Sequence, residues 1–536
     1  MERRRIEPLP AMGLAVLVAA GTALRWLHAR NAQWVMTGDD GVVALMALDI
    51  LKGEGLPLLF YGQHYMGTLD AFGAALWFAG LGVSSEAYKL SLLPYAAVTL
   101  GLVGWTVARL WGAGPALVAV GLVALSPAAI RWQIDQPNYG MLFLFAAALF
   151  ALTASLLEGP DAEEPPAGAG RWYAWAFVAG LGFWMHSLIL GLLLPVPLLL
   201  RLRGTLPRGR RLAWGCFWFL VGAAPLLIHN VAHGFATVRQ FGGFFLDVSS
   251  RDQVQGLSLL EIALRGLWHK VNPATVGPNI LVALGGYDLR DYPLLLALSY
   301  PAAAAFATLL VGAALAWFRG ARRSGWRAWT AGTEGGLLAW LWLSVGLVLL
   351  LGSTRARYLA LLILLSALLL AGRWGRQWPG KPWRAALLGG LLLYLAAASV
   401  TLNVLRPLVA PNPVPALAAF LQARGLALGY AGFELAYPLA VATKESVKVT
   451  PLAGPVVDDR YPAYTRAVEA APAPFYLYAE REPLGAALAG YLRAEAIAFN
   501  ETTVEGHRVF WGLSSPVRPD EFLPEPYLSA YRRVHP

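Results

Sequence analysis

Residues 38–53 read Gly-Asp-Asp-Gly-Val-Val-Ala-Leu-Met-Ala-Leu-Asp-Ile-Leu-Lys-Gly, and residues 60–67 follow as Phe-Tyr-Gly-Gln-His-Tyr-Met-Gly. An acidic pair, Asp39 and Asp40, opens a segment in which Val42, Leu45, Met46, Asp49 and Ile50 fall on neighbouring helical turns and Gly53 is a natural stop. One acid suffices to cap such a helix, a contribution of about 1 kcal/mol. Capping leaves the second unexplained, although a solvated loop acid costs little. A carboxylate near a helix N-terminus stays ionised at neutral pH and is suited to take a proton from an attacking hydroxyl. Its neighbour would hold a metal ion or orient an acceptor. Tyr61, Gln63, His64 and Tyr65 offer aromatic faces and hydrogen-bonding groups of the kind that hold sugar rings, while an interfacial aromatic turn explains the same cluster without a ligand. Asp70 then begins a short re-entrant or interfacial helix over 70–81.

The surroundings of this stretch are membrane. The chain has 536 residues, of which 57% are hydrophobic and 14% charged, with a mean hydropathy of +0.53. A soluble domain carries about 25% charged residues. Apolar runs of roughly 20 residues recur, each long enough to cross the hydrocarbon core. Trp26, Trp34, Trp111, Trp132 and Trp172 lie near the ends of such runs, as an interfacial belt requires. The sequence therefore predicts an α-helical polytopic membrane protein. Its spans fall at about 9–28, 88–109, 113–130, 138–157, 172–186, 187–201, 212–230, 293–318, 336–352, 357–372 and 385–402, about 11 in all. The 172–201 stretch, with His186 near its middle and Pro195 and Pro197 beyond, reads as two short helices that turn back inside the bundle. The N-terminal basic run precedes a long apolar segment with no clear cleavage site, the pattern of a retained first span. The single cysteine, Cys216, excludes an intrachain disulfide.

The net charge of +10 does not point to nucleic acid, because its placement follows orientation. Arg3–Arg5, Arg109, Arg201–Arg211, Arg319–Arg327 and Arg373–Arg384 share one side under this count, which makes that side cytoplasmic. The exterior face then receives the loops 29–87 and 231–292, the short connection around 131–139 and the C-terminal segment 403–536. Composition shifts at Arg406-Pro407 and Pro411-Asn412-Pro413. Beyond that point helical patterns (414–424, 483–494) alternate with strand-like runs (447–449, 475–478, 509–511), the pattern of a small α/β domain. Two units follow: residues 1–402 in the membrane and 403–536 outside it.

Several cations lie on the exterior side against the orientation bias. Lys89 starts one span, Arg131 ends another, and Arg355, Arg357 and Tyr358 sit in Gly-Ser-Thr-Arg-Ala-Arg-Tyr-Leu between two more. Snorkelling to lipid headgroups accounts for some of them. An inward-turned arginine at this depth suits a phosphate at the bilayer surface. His186 reads as a structural histidine. His229 and His233 stand four apart without matching acids, so no metal ligand set is read there. No cofactor is called for, and a divalent metal at Asp40 or Asp135 stays open.

This order of features resembles the GT-C glycosyltransferases, in particular the bacterial and archaeal proteins related to protein O-mannosyltransferases and lipid A aminoarabinose transferases. The resemblance spans most of residues 1–402 and is strongest over Gly38–Gly67. The stretch from Gly429-Tyr430 to Tyr461-Pro462-Ala463-Tyr464 is similar, more weakly, to the exterior tail of some members. The resemblance implies a polyprenyl-phosphate-linked sugar donor, a lipid, glycan or protein acceptor, and chemistry at the exterior face of the cell membrane. It matches Asp39 to the base, with Asp40 where the family usually has Glu, and implies a phosphate-side role for Arg357 and Tyr358. One carboxylate and one displacement predict inversion at the anomeric carbon. A transporter or flippase of a lipid-linked saccharide is the alternative, but such proteins usually show internal repeats and none is visible. A membrane-anchored sensor needs far fewer spans.

Overall fold

The computed structural model describes residues 8–158, 168–238, 261, 291–351, 360–374, 382–405, 411–452, 459–525 and 527–534. Most of the expected exterior loop 231–292, together with Arg355, Arg357 and Tyr358, lies outside the described residues. Among those described, five helices are long and apolar enough to cross a membrane, or seven if two bent pairs are each one span. The others that were expected to span are shorter, so the described helices leave the expected count of about 11 unsupported.

The first seven helices build the region around the acidic pair. They are α1 (Pro8–Asn31), α2 (Gly38–Lys52), α3 (Leu69–Leu81), α4 (Ser85–Trp111), α5 (Ala113–Ala124), α6 (Pro127–Asp135) and α7 (Tyr139–Leu157). Helix α4 presents Val98 and Trp105 outward, and the later helix Pro293–Ser324 presents Val311, Leu315 and Phe318. Such faces need hydrocarbon to cover them. The expected span 113–130 is instead a bent pair, α5 and α6, meeting at 57°. Ser126 caps the second half by accepting from Ala129 N at 3.3 Å, and Pro127 occupies its first turn. The break leaves carbonyls at the end of α5 without helical partners. The buried Arg25 guanidinium of α1 fills them, donating to Val123 O and Ala124 O at 3.3 Å each and to Gln133 Oε1 at 2.7 Å. The stretch 172–201 is interrupted as expected. One helix runs Gly168–Met185, His186 accepts from Leu188 N at 3.2 Å, and shorter turns continue to Leu202.

At the C-terminal end a five-stranded sheet has the order β2-β1-β3-β5-β4. Its strands are β1 (Leu428–Ala431), β2 (Lys448–Pro451), β3 (Phe475–Ala479), β4 (Asn500–Val504) and β5 (His507–Trp511). β1 runs parallel to β2 and β3, whereas β5 is antiparallel to both β3 and β4. The turn between β4 and β5 is Glu505-Gly506, both at positive φ (45° and 70°), the geometry of a tight hairpin. Helices Val414–Ala423 and Pro483–Ala494 match the expected 414–424 and 483–494.

The sheet's helices reach the acidic pair. Helix Phe433–Ala442 lies so close against α2 that a Cβ on Gly38 would stand 2.4 Å from the Phe433 ring, and one on Gly41 would stand 2.7 Å from Pro438 N. The two glycines flanking Asp39 and Asp40 are therefore required by close approach. Val42–Leu48 of α2 share one apolar cluster with Tyr437, Ala440, Val441 and Tyr464 from the C-terminal segment and with Tyr88 from α4. A Gly41→Leu variant is expected to lose about 1–3 kcal/mol through overpacking. Limited proteolysis should then cut the C-terminal segment faster than in wild type, and an unchanged cleavage rate would refute the tight contact.

Candidate active site

Helix α2 starts on Thr37. Its Oγ1 accepts from Asp40 N at 3.1 Å, and Asp40 Oδ2 accepts from Thr37 N at 2.9 Å, a reciprocal capping box. Another first-turn donor, Gly38 N, gives its hydrogen to Glu434 Oε2, at 2.8 Å, from the C-terminal segment. Asp40 is thus the capping acid. It is fully buried and also accepts from Lys89 Nζ at 2.7 Å and from Tyr88 Oη at 3.0 Å. Lys89, equally buried, gives a second hydrogen to Ile134 O at 2.7 Å near the end of α6. The ammonium occupies Asp40 Oδ2. It also points inward to this pair, which does not fit the expected phosphate contact.

Asp39 has a different environment. One helical position away from Asp40, its side chain keeps 29% of its surface accessible and lies 3.7 Å from Arg460 Nη2. Arg460 comes from the C-terminal segment and is itself nearly covered, at 7% exposure. Its Nη1 donates to Gly62 O at 3.3 Å, and its guanidinium stands over the rings of Phe60 and Phe433 at 5.6 and 6.0 Å. With the Gln63 amide oriented to satisfy its neighbours, Gln63 Oε1 accepts from Arg460 Nη2 at 2.6 Å and Nη1 at 2.9 Å, and its nitrogen donates to Tyr65 Oη at 3.3 Å. The acidic pair and the Phe60–Gly67 segment therefore meet, as their sequence order suggested, but a remote arginine joins them.

The other expected site residues serve several ends. Tyr61 Oη donates to Asp49 Oδ2 at 2.8 Å, as Tyr461 Oη does at 3.0 Å, tying the far end of α2 to the C-terminal segment. Burial raises the Asp49 carboxyl above its ordinary range, against the lowering effect of both tyrosine hydroxyls. His64 Nδ1 is 3.1 Å from His229 Nε2, and His229 stacks on His233 with ring centroids 4.1 Å apart. Among the described residues no group of three or more His, Cys, Asp or Glu is arranged to hold a metal ion. Arg131 is 53% exposed and 3.9 Å from Asp135, whose carboxylate is 2.9 Å from His28 Nε2. Asp70 is buried at the start of the short helix α3, where it accepts from Ala71 N at 3.0 Å and Asn138 N at 3.1 Å. Arg25, His28, Asp49, Glu434 and Arg460 were not read as site or network residues from the sequence. Glu434 and Arg460 fall within the Gly429–Tyr464 stretch and Asp49 within Gly38–Gly67, whereas Arg25 and His28 had no such signal.

No protein-family profile matches this chain, and no curated protein matches it. Solved structures do. Archaeal oligosaccharyltransferase AglB from Archaeoglobus fulgidus, in complex with an inhibitory peptide and a dolichol-phosphate, is 13% identical with a TM-score of 0.50, over 97% of this chain and 75% of that one. ArnT from Cupriavidus metallidurans bound to undecaprenyl phosphate is 14% identical with a TM-score of 0.49, over 95% and 99%. Arabinofuranosyltransferase AftD from Mycobacteria is 14% identical with a TM-score of 0.48, over 93% and 39%. The likeness to AglB is one of fold. The chain is a multi-pass α-helical membrane protein of GT-C-like architecture with a small C-terminal α/β sheet.

Two outcomes follow from this geometry. Asp40→Ala strands a buried ammonium and is expected to cost about 3–5 kcal/mol, whereas Asp40→Leu combined with Lys89→Met should recover much of that loss in thermal unfolding. Burial pushes the Asp70 carboxyl up to about 7, with backbone donors from Asn138 and Ala71 opposing and the charge of Asp40 adding to the rise. The folded state then holds a proton that the unfolded chain has released. That contribution is complete below the ordinary value of 3.8 and is lost as pH climbs through about 7. Asp70→Asn should flatten the fall of thermal stability over this window, and an unchanged slope would remove Asp70 as its source.

Proposed function

We propose that this protein is an integral-membrane glycosyltransferase that moves a sugar from a polyprenyl-phosphate donor to an acceptor hydroxyl at the exterior face of the cell membrane. The division of labour between two adjacent acids carries the reading. Asp40 is consumed by a buried ion pair, and Asp39 is left partly accessible at a helix N-terminus beside a cation. That is the setting of an ionised base. The GT-C-like fold supports it, since AglB was solved with a dolichol-phosphate. The membrane unit is assigned to residues 1–402 and the exterior unit to 403–536.

In the reaction Asp39 takes the proton from the acceptor hydroxyl. The oxygen attacks the anomeric carbon, and the bond from that carbon to the phosphate oxygen breaks with its electron pair on the lipid phosphate. Phosphate leaves readily, so no general acid is needed. One displacement inverts the anomeric centre. The growing phosphate charge calls for cations, a role assigned to Arg357 with Tyr358, and to Arg355 and Arg131 at the same face. Tyr65 and His64 line the sugar side, with Gln63 and Tyr61 holding the loop.

The test uses the full chain in proteoliposomes with a panel of radiolabelled undecaprenyl-phosphate hexoses and pentoses. Wild type should cleave at least one of them and release undecaprenyl phosphate. Asp39→Asn should lower turnover by about 10²–10⁴-fold with unchanged thermal unfolding, and a fully active variant removes Asp39 as base. Movement of label across the bilayer without bond cleavage would instead favour a transporter of lipid-linked saccharide.

A further inference from the structure

The cation nearest to Asp39 among the described contacts comes from neither the first loop nor the membrane helices. It is Arg460, brought from the C-terminal segment, more than four hundred positions along the chain. Its place is tightly determined. Its backbone N–H donates to Tyr437 Oη at 2.7 Å, and Tyr437 lies on the helix that packs against α2 through Gly41. Gly62 lets the Phe60–Gly67 turn press onto it, because a Cβ there would stand 2.9 Å from Arg460 Cα. Gly62 also has a φ of 68°, which favours glycine in any case. The guanidinium plane is then held from one side by the Gly62 carbonyl and the Gln63 amide and flanked by Phe60 and Phe433. A cation covered to this extent and fixed by so many contacts costs desolvation and side-chain entropy. Those contacts aim it at the partly accessible acid.

The 3.7 Å separation from Asp39 Oδ1 matters chemically. It is an ion-pair distance rather than a short bidentate lock. A fork bonded squarely to both carboxylate oxygens would compete with an incoming hydroxyl for them. A guanidinium anchored elsewhere and offset from the carboxylate favours its ionised form across this distance.

We propose that Arg460 is a positioning residue for Asp39, so that the C-terminal segment and the membrane helices jointly build one reaction centre. The inference rests on Asp39 being the base, and the experiment separates the two. Release of undecaprenyl phosphate is followed against pH with whichever panel donor wild type cleaves, for wild type, Asp39→Asn, Arg460→Gln and Arg460→Lys as full chains in proteoliposomes. Arg460→Gln is expected to lower kcat by about tenfold and to move the acid limb of the kcat profile upward by about one pH unit or more, the effect of removing a neighbouring opposite charge. Arg460→Lys keeps the charge and should hold the limb at its wild-type position while turning over more slowly. If Asp39→Asn is inactive but Arg460→Gln keeps the wild-type limb, the positioning role is wrong and the base assignment stands. A fully active Asp39→Asn overturns both. Should Arg460→Gln fail to fold, Gln63→Leu releases the guanidinium from its amide anchor and should shift the limb in the same direction. An unmoved limb in that variant overturns the proposal.

Discussion

The buried pair between Asp40 and Lys89 is the contact on which the rest of the site depends. Both groups are essentially removed from solvent, and such a pair holds only if its geometry and remaining hydrogen bonds offset desolvation. Here they are well supplied. Asp40 takes hydrogens from Thr37 N, Lys89 and Tyr88, and Lys89 gives another to the Ile134 carbonyl. One ion pair thereby fastens the start of α2 to α4 and to the end of α6. It also decides where the next acid goes. Consecutive helical side chains diverge by about 100°, so fixing Asp40 inward turns Asp39 away from that buried pocket.

The second constraint is steric. Gly38 and Gly41 bracket the acids and carry no side chain, which allows helix Phe433–Ala442 to press onto the first two turns of α2. Glu434 then satisfies the Gly38 N–H, while Tyr461 and Glu445 fasten the other end of α2 through Asp49 and Lys52. A helix that is apolar nearly all round, as Val42–Leu48 are, requires partners on every side. The C-terminal segment supplies one of those sides, so a segment set apart by its composition is structurally part of the first loop's environment.

What the sequence made legible was local. The ends of α2, α3, α4 and α7 followed from apolar runs, glycine stops and capping residues within a few positions of each boundary. So did the helices 414–423 and 483–494. Three strands were visible as apolar β-formers, but β4 reads Asn-Glu-Thr-Thr-Val and lies at a largely exposed edge, where no apolar alternation is demanded. β1, with Gly429 at its centre, is too short to show a period. The bend at Ser126 has no local signature, because what fills it, Arg25, is about a hundred residues away and resembles any charge near a span end. The site followed the same rule. That one acid of the pair caps α2 was readable from spacing. That Lys89 would be consumed by that acid, and that Arg460 would stand beside the other, depends on packing between segments that no local pattern encodes.

The arrangement also explains how two adjacent acids can coexist at one site. Neighbouring carboxylates ordinarily raise each other's proton affinity, because each ionised group disfavours the other. At this helix start the ammonium of Lys89 compensates the inner charge at 2.7 Å inside a region of low dielectric. Around Asp39 stand the guanidinium of Arg460, 3.7 Å away, and the carboxylate of Glu434, which accepts the adjacent Gly38 N–H at 2.8 Å. The inner pair thus holds the helices together and compensates the charge of Asp40. The anchoring of this helix start therefore traces to one lysine.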